Sequence, residues 1–104
     1  MDITSIENSV NRYKDAVLSK FSPKAIILFG SYANGNAHDD SDIDIAVVFD
    51  RYTQKHLDAM QDLFVLTQNV DMRIEPILLE EANDKSGFLH HVKQTGKVIY
   101  EAGR

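Results

Sequence analysis

The chain has 104 residues, a formal net charge of −5 and no cysteine. That length supports one domain with a single core, and the lack of thiols excludes disulfides, thiolate zinc sites and cysteine nucleophiles. The sequence contains neither a membrane-spanning apolar run nor a signal peptide, so we expect a cytoplasmic protein without membrane partners. Its acidic balance also argues against nucleic acid as a partner.

The first half of the chain predicts one helix and two strands. Apolar positions at helical spacing predict a helix over 3–21, which should end before Pro23 because proline disfavours the helical state of its predecessor. The continuous apolar run Ala25–Phe29 predicts a strand buried on both faces. Residues 30–41 predict a loop with one helical turn near its start, and residues 42–49 predict the second strand.

The second half predicts a helix, an edge strand and a closing helix. Helical periodicity over 54–68 is followed by a strand pattern over 71–79. Pro76 cannot donate a ladder hydrogen bond, which indicates that this strand lies at a sheet edge or is bulged at this residue. Residues 84–95 predict the closing helix, with Gly96 as its C-terminal stop.

Residues 98–100 are expected to add a short last strand. The pattern as a whole predicts an α/β (α+β) fold in which helices pack on a small mixed sheet. The expected order of the main elements is α-β-β-α-β-α, in a single domain over residues 1–104.

Two carboxylates stand on the second predicted strand. Asp42 and Asp44 are two residues apart, so both project from one face of the sheet, while Ile43 and Ile45 point into the core. Adjacent carboxylates repel each other unless a cation or a proton lies between them. Because Mg²⁺ prefers hard oxygen ligands and binds one or two carboxylates, Asp42 and Asp44 are predicted metal ligands.

The neighbouring acidic residues are interpreted differently. Asp39, Asp40 and Asp50 are predicted to be solvated loop charges, because they lie outside the apolar part of the strand. Asp42 and Asp44 lie beside strongly apolar residues, where an uncompensated charge is costly.

The first predicted strand is followed directly by Gly30-Ser31. This dipeptide predicts a tight turn, to which Ser31 adds a hydroxyl donor. If a helical turn starts at Ser31, its backbone amides and dipole face an anion such as a triphosphate. A plain strand-to-loop turn is the alternative interpretation of this dipeptide.

In combination, Gly30-Ser31, ten intervening residues and the pair Asp42 and Asp44 resemble the signature of the nucleotidyltransferase superfamily that includes DNA polymerase β. Segments 28–33 and 41–45 are similar to the core of its small bacterial members, the minimal nucleotidyltransferases. The resemblance continues through the closing helix and last strand, and therefore covers nearly the whole chain. One departure is Asn34, where members of the family usually carry arginine or lysine.

The resemblance implies a third carboxylate on a following strand. Asp71 is the preferred residue, and Glu75 is the alternative. Both are expected on one strand face, about 13 Å apart at the rise of a strand, so that only one can share the metal site. Arg73 lies between them on the same face and is expected to pair with a carboxylate or with the nucleotide.

The family resemblance further implies a metal-dependent enzyme that moves a nucleoside monophosphate, AMP from ATP, to a hydroxyl acceptor. Asp42, Asp44 and Asp71 would be the catalytic residues and would hold two Mg²⁺ ions in an in-line displacement. The residues expected to bind the nucleotide are Gly30, Ser31, Tyr32 and Asn34.

The resemblance extends to antitoxins that act beside a helical HEPN-type partner protein and modify it with AMP. It therefore implies a toxin-antitoxin pair in which the partner is the acceptor. The alternative is a non-catalytic, nucleotide-binding module that neutralises its partner by binding alone. Asp42→Asn and Asp44→Asn variants distinguish these hypotheses, because only the enzyme requires both carboxylates to act on its partner.

Overall fold

The computed structural model describes residues 3–35, 41–51 and 56–103. The elements in chain order are α1 (Ile3–Lys20), β1 (Ala25–Phe29), α2 (Ser31–Asn34), β2 (Ile43–Phe49), α3 (His56–Thr67), β3 (Ile74–Glu80), a 3₁₀ turn (Glu81–Asn83), α4 (Phe88–Thr95) and β4 (Lys97–Glu101). None of the helices in these three ranges is both long and apolar enough to cross a bilayer.

The four strands form one mixed sheet in the order β3-β2-β1-β4. β1 is antiparallel to β2 and to β4, whereas β2 and β3 run parallel. The predicted mixed α/β class is confirmed. Of the two alternatives that Pro76 left open, the structure shows the edge position, because β3 is the outer strand and its register with β2 continues through Pro76. The predicted order α-β-β-α-β-α omits α2 and β4, which the sequence indicated only as a short turn and a short last strand.

Strand β1 is covered on both sides, as its continuous apolar run predicts. Ile26 and Leu28 belong to the larger core, which also contains buried residues of α1 and α3. Ala25 and Ile27 face the opposite side and pack with buried residues of α4. Alternation along the strands therefore separates a thick layer under α1 and α3 from a thinner layer under α4.

The helices of the thick layer are joined through a buried hydrogen bond. The hydroxyl of Tyr13 on α1 donates to the backbone carbonyl of Leu63 on α3 at 2.7 Å. Both side chains are fully buried, and burial raises the pKa of the Tyr13 hydroxyl. The phenol therefore remains a donor in the core, where a polar group needs a partner.

Gly96 ends α4 as predicted, but not in the left-handed conformation that often terminates helices. Its φ and ψ are −91° and 175°, and its N–H donates to the Val92 carbonyl at 2.7 Å. A β-carbon at this position would lie 2.6 Å from Cγ2 of Ile27 and 2.8 Å from the Leu28 carbonyl oxygen. Close approach to β1 is thus the reason that glycine occupies this site.

Gly96→Ala is expected to lower the free energy of unfolding by about 1–3 kcal/mol, because the added methyl group overlaps backbone atoms that cannot yield. Urea denaturation followed by circular dichroism measures this loss. Thr95→Ala is the neighbouring control, and it should cost less than about 0.5 kcal/mol because Thr95 is exposed. Equal losses in the two variants would contradict the packing explanation.

Candidate active site

The first two predicted carboxylates lie at the start of β2. Asp42 directly precedes the strand, and Asp44 is its second residue. The intervening Ile43 and the following Ile45 are fully buried in the larger core. The two carboxylates therefore project from the opposite, thinner layer, on a strand that the core holds in place.

Glu75 is the carboxylate that the sheet places beside this pair. In the parallel register of β2 and β3, Asp44 stands opposite Glu75. Neighbouring strands are about 4.8 Å apart, so these residues lie side by side on one face. The negative charge of Asp42 also acts on Glu75 and raises its pKa. Asp42, Asp44 and Glu75 thus form one cluster, which we call the carboxylate cluster.

The carboxylate cluster is electrostatically unfavourable for three negative charges. Desolvation and the nearby charge of Asp42 raise the pKa of Asp44. Desolvation and repulsion from Asp42 and Asp44 raise the pKa of Glu75. Both pKa values rise because the surroundings disfavour the ionised form, as expected where carboxylates share a site.

Gly30 brings the predicted phosphate-binding turn against this cluster. It adopts φ 76° and ψ −150°, a conformation that side chains rarely permit. A β-carbon at Gly30 would overlap Oδ2 of Asp44. The turn between β1 and α2 therefore lies directly against the carboxylate of Asp44.

The other predicted nucleotide-binding residues lie on α2, which spans Ser31–Asn34 and ends at Gly35. Ser31 is its first residue and directly follows Gly30. Tyr32 packs against the larger core, on the side of the sheet opposite the carboxylate cluster. Asn34 is the last helical residue. The structure therefore brings Gly30 and Ser31 to the site, and it directs Tyr32 toward the other layer.

Asp71, the preferred third carboxylate, is not on a strand. β3 begins at Ile74, and residues 71–74 form a turn in which the Ile74 N–H donates to the Asp71 carbonyl at 3.1 Å. The strand therefore starts at residue 74, three residues after the start of the expected strand over 71–79. The predicted common face for Asp71 and Glu75 is not observed.

The carboxylate of Asp71 is already held by two side chains. Arg73 donates from Nε to Oδ1 at 3.0 Å and from a terminal nitrogen to Oδ2 at 2.7 Å. The backbone N–H of Arg73 also donates to Oδ1 at 3.0 Å. The Ser9 hydroxyl on α1 donates to Oδ2 at 2.9 Å. The expected pairing of Arg73 with a carboxylate is confirmed, and its partner is Asp71.

This turn also positions β2. The Arg73 carbonyl accepts a hydrogen bond of 2.9 Å from the N–H of Ile43, the residue between Asp42 and Asp44. The Asp71 carboxylate therefore fixes a turn whose next contact is the backbone of the carboxylate cluster. Sequence reasoning missed this role, although an aspartate two residues before a donor is a known signal for a side-chain turn.

Hydrogen bonds from Arg73 and Ser9 lower the pKa of Asp71 to about 2, from an ordinary value near 3.8. A carboxyl with a lowered folded-state pKa contributes stability above its unfolded pKa and loses it as the pH falls. Asp71→Asn should therefore lower the free energy of unfolding at pH 7 by about 1–2 kcal/mol, after allowance for solvent screening.

Urea denaturation of wild type and Asp71→Asn between pH 7 and pH 3 tests this expectation. The difference between the two proteins should be full above about pH 5 and should shrink as the pH falls toward 2, where the wild-type carboxyl also becomes neutral. A difference that stays constant over this range would show that the ionic hydrogen bonds are not its source.

The side chains of the carboxylate cluster are chemically suited to bind a divalent cation. Carboxylate oxygens are ligands that Mg²⁺ prefers, and a cation would relieve the repulsion that raises the pKa of Asp44 and Glu75. Within 3–35, 41–51 and 56–103, however, no three acidic, histidine or cysteine side chains already converge as a metal site. The three carboxylates would have to rotate to share an ion.

Two acidic residues of the preceding loop, Asp39 and Asp40, lie outside the described residues. Asp50 follows the end of β2 and is exposed, as expected for a solvated charge.

Comparison with known proteins gives one family and several relatives. Residues 11–104 match the family model described as "Polymerase beta, Nucleotidyltransferase". MJ0604 of Methanocaldococcus jannaschii, which carries the provisional name protein adenylyltransferase, is 31% identical over 99 residues, covering 90% of this chain and 97% of that protein. Protein adenylyltransferase MntA of Thermococcus cleftensis is 36% identical over 50 residues, covering 48% of this chain and 50% of its own. The chain thus spans about half the length of that relative.

A solved structure described as a toxin-antitoxin with AMP-PNP has a similar fold. Its TM-score is 0.69 with 25% sequence identity, covering 89% of this chain and 73% of that chain. The fold similarity thus extends over most of this chain.

Proposed function

Because the chain belongs to the polymerase β nucleotidyltransferase family, we propose that it transfers AMP from ATP to a hydroxyl group on a partner protein. The predicted membership in this family of enzymes is confirmed by the match over residues 11–104. The observation that carries the proposal is the register of β2 and β3, which places Glu75 beside Asp44, the residue that the Gly30 turn contacts.

The names of similar proteins support ATP as the donor and a protein as the acceptor. Relatives are named protein adenylyltransferases, and the similar solved structure is a toxin-antitoxin with AMP-PNP, an ATP analogue. We extend these properties to this chain as part of the proposal. The acceptor we propose is the toxin of such a pair, a helical protein of the HEPN type.

Gly30 and Ser31 are the proposed phosphate-binding residues. Ser31 supplies a hydroxyl donor, and α2 begins at this residue, so its first amides are available to an anion at the helix start. Because Gly30 abuts Asp44, phosphates bound here would lie beside the carboxylate cluster. The missing side chain of Gly30 leaves the room for this approach.

Asp42, Asp44 and Glu75 are the proposed ligands of Mg²⁺, and two ions are part of the proposal. Glu75 replaces Asp71, the residue preferred from the sequence, as the third proposed ligand. The carboxylate of Asp71 already accepts hydrogen bonds from Arg73 and Ser9. When bound, Mg²⁺ would neutralise phosphate charge and stabilise both the attacking and the leaving oxygen.

In the proposed reaction the acceptor hydroxyl oxygen forms a bond to the α-phosphorus of ATP. The bond from that phosphorus to the bridging oxygen breaks, and pyrophosphate leaves. The hydroxyl proton passes to a carboxylate oxygen of Glu75, which is exposed to an incoming acceptor.

Label transfer tests the proposed function. The protein is incubated with Mg²⁺, the partner toxin and ATP labelled at either the α- or the γ-phosphate. We expect α-label, but no γ-label, to enter the partner. The double variant Asp42→Asn/Asp44→Asn should transfer none, whereas the surface control Asp50→Asn should retain transfer.

Transfer of γ-label would contradict the proposal, because it indicates a phosphotransferase. Transfer that persists in the double variant would contradict it equally. If neither label enters the partner, and the double variant still neutralises it at equal stoichiometry, the chain is a binding module instead.

A further inference from the structure

An aromatic side chain lies in the same row of the sheet as the carboxylate cluster. In the register of the three strands, Phe29 of β1 stands opposite Asp44, which stands opposite Glu75. Directly opposite residues share a face of the sheet, and their β-carbons lie about 5 Å apart. The proposed reaction uses the two carboxylates and leaves Phe29 without a role.

A second aromatic ring rests on the first. The rings of Phe29 and Phe88 meet edge to face, with centroids 5.8 Å apart and an angle of 83° between their planes. Phe88 is the first residue of α4 and remains 37% exposed. A partly exposed aromatic surface therefore borders the carboxylate cluster on the side of β1.

The position of Phe88 is fixed by the helix that carries it. Leu89 and Val92 anchor α4 in the thinner core, with 3% and 0% exposure. The Asp84 carboxylate accepts hydrogen bonds from the N–H groups of Leu89 at 2.9 Å and His90 at 3.1 Å. These bonds hold the first turn of α4, so the Phe88 ring is presented by a rigid element.

We propose that Phe88, supported by Phe29, stacks on the purine base of the nucleotide whose phosphates lie beside the carboxylate cluster. This inference rests on the proposed function and adds the part of the site that contacts the base. The ribose holds a base further from its own phosphates than one strand spacing, so the stacking ring should not be the direct neighbour of Asp44. Phe88 meets this condition, because it contacts Phe29, the residue opposite Asp44, with ring centroids 5.8 Å apart. Bases stack on exposed aromatic rings, and the larger purine overlaps a phenyl ring more fully than a pyrimidine does.

Calorimetric binding in the presence of Mg²⁺ tests this proposal with two probes. One probe is α,β-methylene-ATP, which cannot transfer AMP, and the other is inorganic tripolyphosphate, which has no base. Phe88→Ala should weaken binding of the nucleotide about tenfold and leave tripolyphosphate binding unchanged. Phe88→Trp should retain nucleotide binding, because it keeps an aromatic face.

Two further variants separate stacking from folding. Phe88→Leu preserves apolar packing against Phe29 but removes the stacking surface, so it should behave like Phe88→Ala toward the nucleotide. Phe64→Ala removes a 58% exposed aromatic ring from α3, in the other layer, and should change neither affinity. All variants are first compared with wild type by circular dichroism.

An unchanged nucleotide affinity in Phe88→Ala and Phe88→Leu would overturn the stacking proposal alone. Equal weakening of both probes would also overturn it, since Phe88 would then only support the phosphate site. If the wild-type protein binds neither probe, the proposed function fails together with this inference. The titrations of the wild-type protein identify the third outcome. In the variants, the nucleotide affinity identifies the first outcome, and the tripolyphosphate affinity identifies the second.

Discussion

Asp44→Asn is expected to reduce AMP transfer about a thousandfold, which corresponds to roughly 4 kcal/mol of lost transition-state stabilisation. Asp44 is central to the proposed site, because it contacts the Gly30 turn and stands opposite Glu75. The amide keeps the shape of the side chain but removes the charge that would hold a cation. Initial rates of α-label transfer to the partner at saturating ATP measure the loss.

The same substitution should leave the fold intact or stabilise it slightly. The pKa of Asp44 is raised in the folded protein, so its ionised form is unfavourable there at neutral pH. Thermal unfolding of Asp44→Asn should therefore occur at the wild-type temperature or above it. A variant that retains more than about a tenth of wild-type transfer would contradict the assignment, and so would a loss explained by unfolding.

Gly30→Ala is expected to abolish transfer and to destabilise the protein. A side chain at φ 76° and ψ −150° is strained, and its β-carbon would overlap Oδ2 of Asp44. The variant must therefore either shift the turn away from β2 or displace the carboxylate. Either movement separates the proposed phosphate-binding residues from the carboxylate cluster. Transfer rate and urea stability measured on one preparation test both effects.

Gly35 offers a matched control for backbone strain. Its φ is 82°, but a β-carbon there would meet no atom of residues 3–35, 41–51 or 56–103 within 4 Å. Gly35→Ala should therefore cost about 1–2 kcal/mol for the left-handed backbone while retaining most of the transfer activity. Equal loss of transfer in the two variants would show that strain in the turn, rather than contact with Asp44, accounts for the effect.

Local patterns predicted most of the fold correctly. The apolar run Ala25–Phe29 predicts burial on both faces, and each side of β1 packs against a core. Pro76 has no amide hydrogen to donate to a second neighbouring strand, and β3 lies at the edge of the sheet. These features were predictable because each depends on the chemistry of a single segment.

The start of β3 was not predictable from alternation alone. Asp71, Arg73 and Glu75 alternate as in a strand, yet the Asp71 carboxylate binds the backbone and side chain of Arg73 and closes a turn. A short-range hydrogen bond thus overrides the strand pattern. The alternation of apolar and polar residues carries no information about this competition.

The choice between two possible third carboxylates also required the tertiary structure. Which residue stands opposite Asp44 depends on the register of two parallel strands that are separated in sequence by α3. Residue type and spacing leave Asp71 and Glu75 open, and the register places Glu75 in the cluster. Asp71 instead links α1 to the turn before β3 through Ser9.

In the proposed site Glu75, and not Asp71, is the third carboxylate that binds the metal. Isothermal titration of α,β-methylene-ATP with and without Mg²⁺ into Glu75→Gln and Asp71→Asn, at pH 7 and a temperature at which both are folded, tests this assignment. We expect Glu75→Gln to lose the Mg²⁺-dependent part of the affinity and Asp71→Asn to bind like wild type. Loss of Mg²⁺-dependent binding in Asp71→Asn, with normal binding in Glu75→Gln, would contradict the assignment.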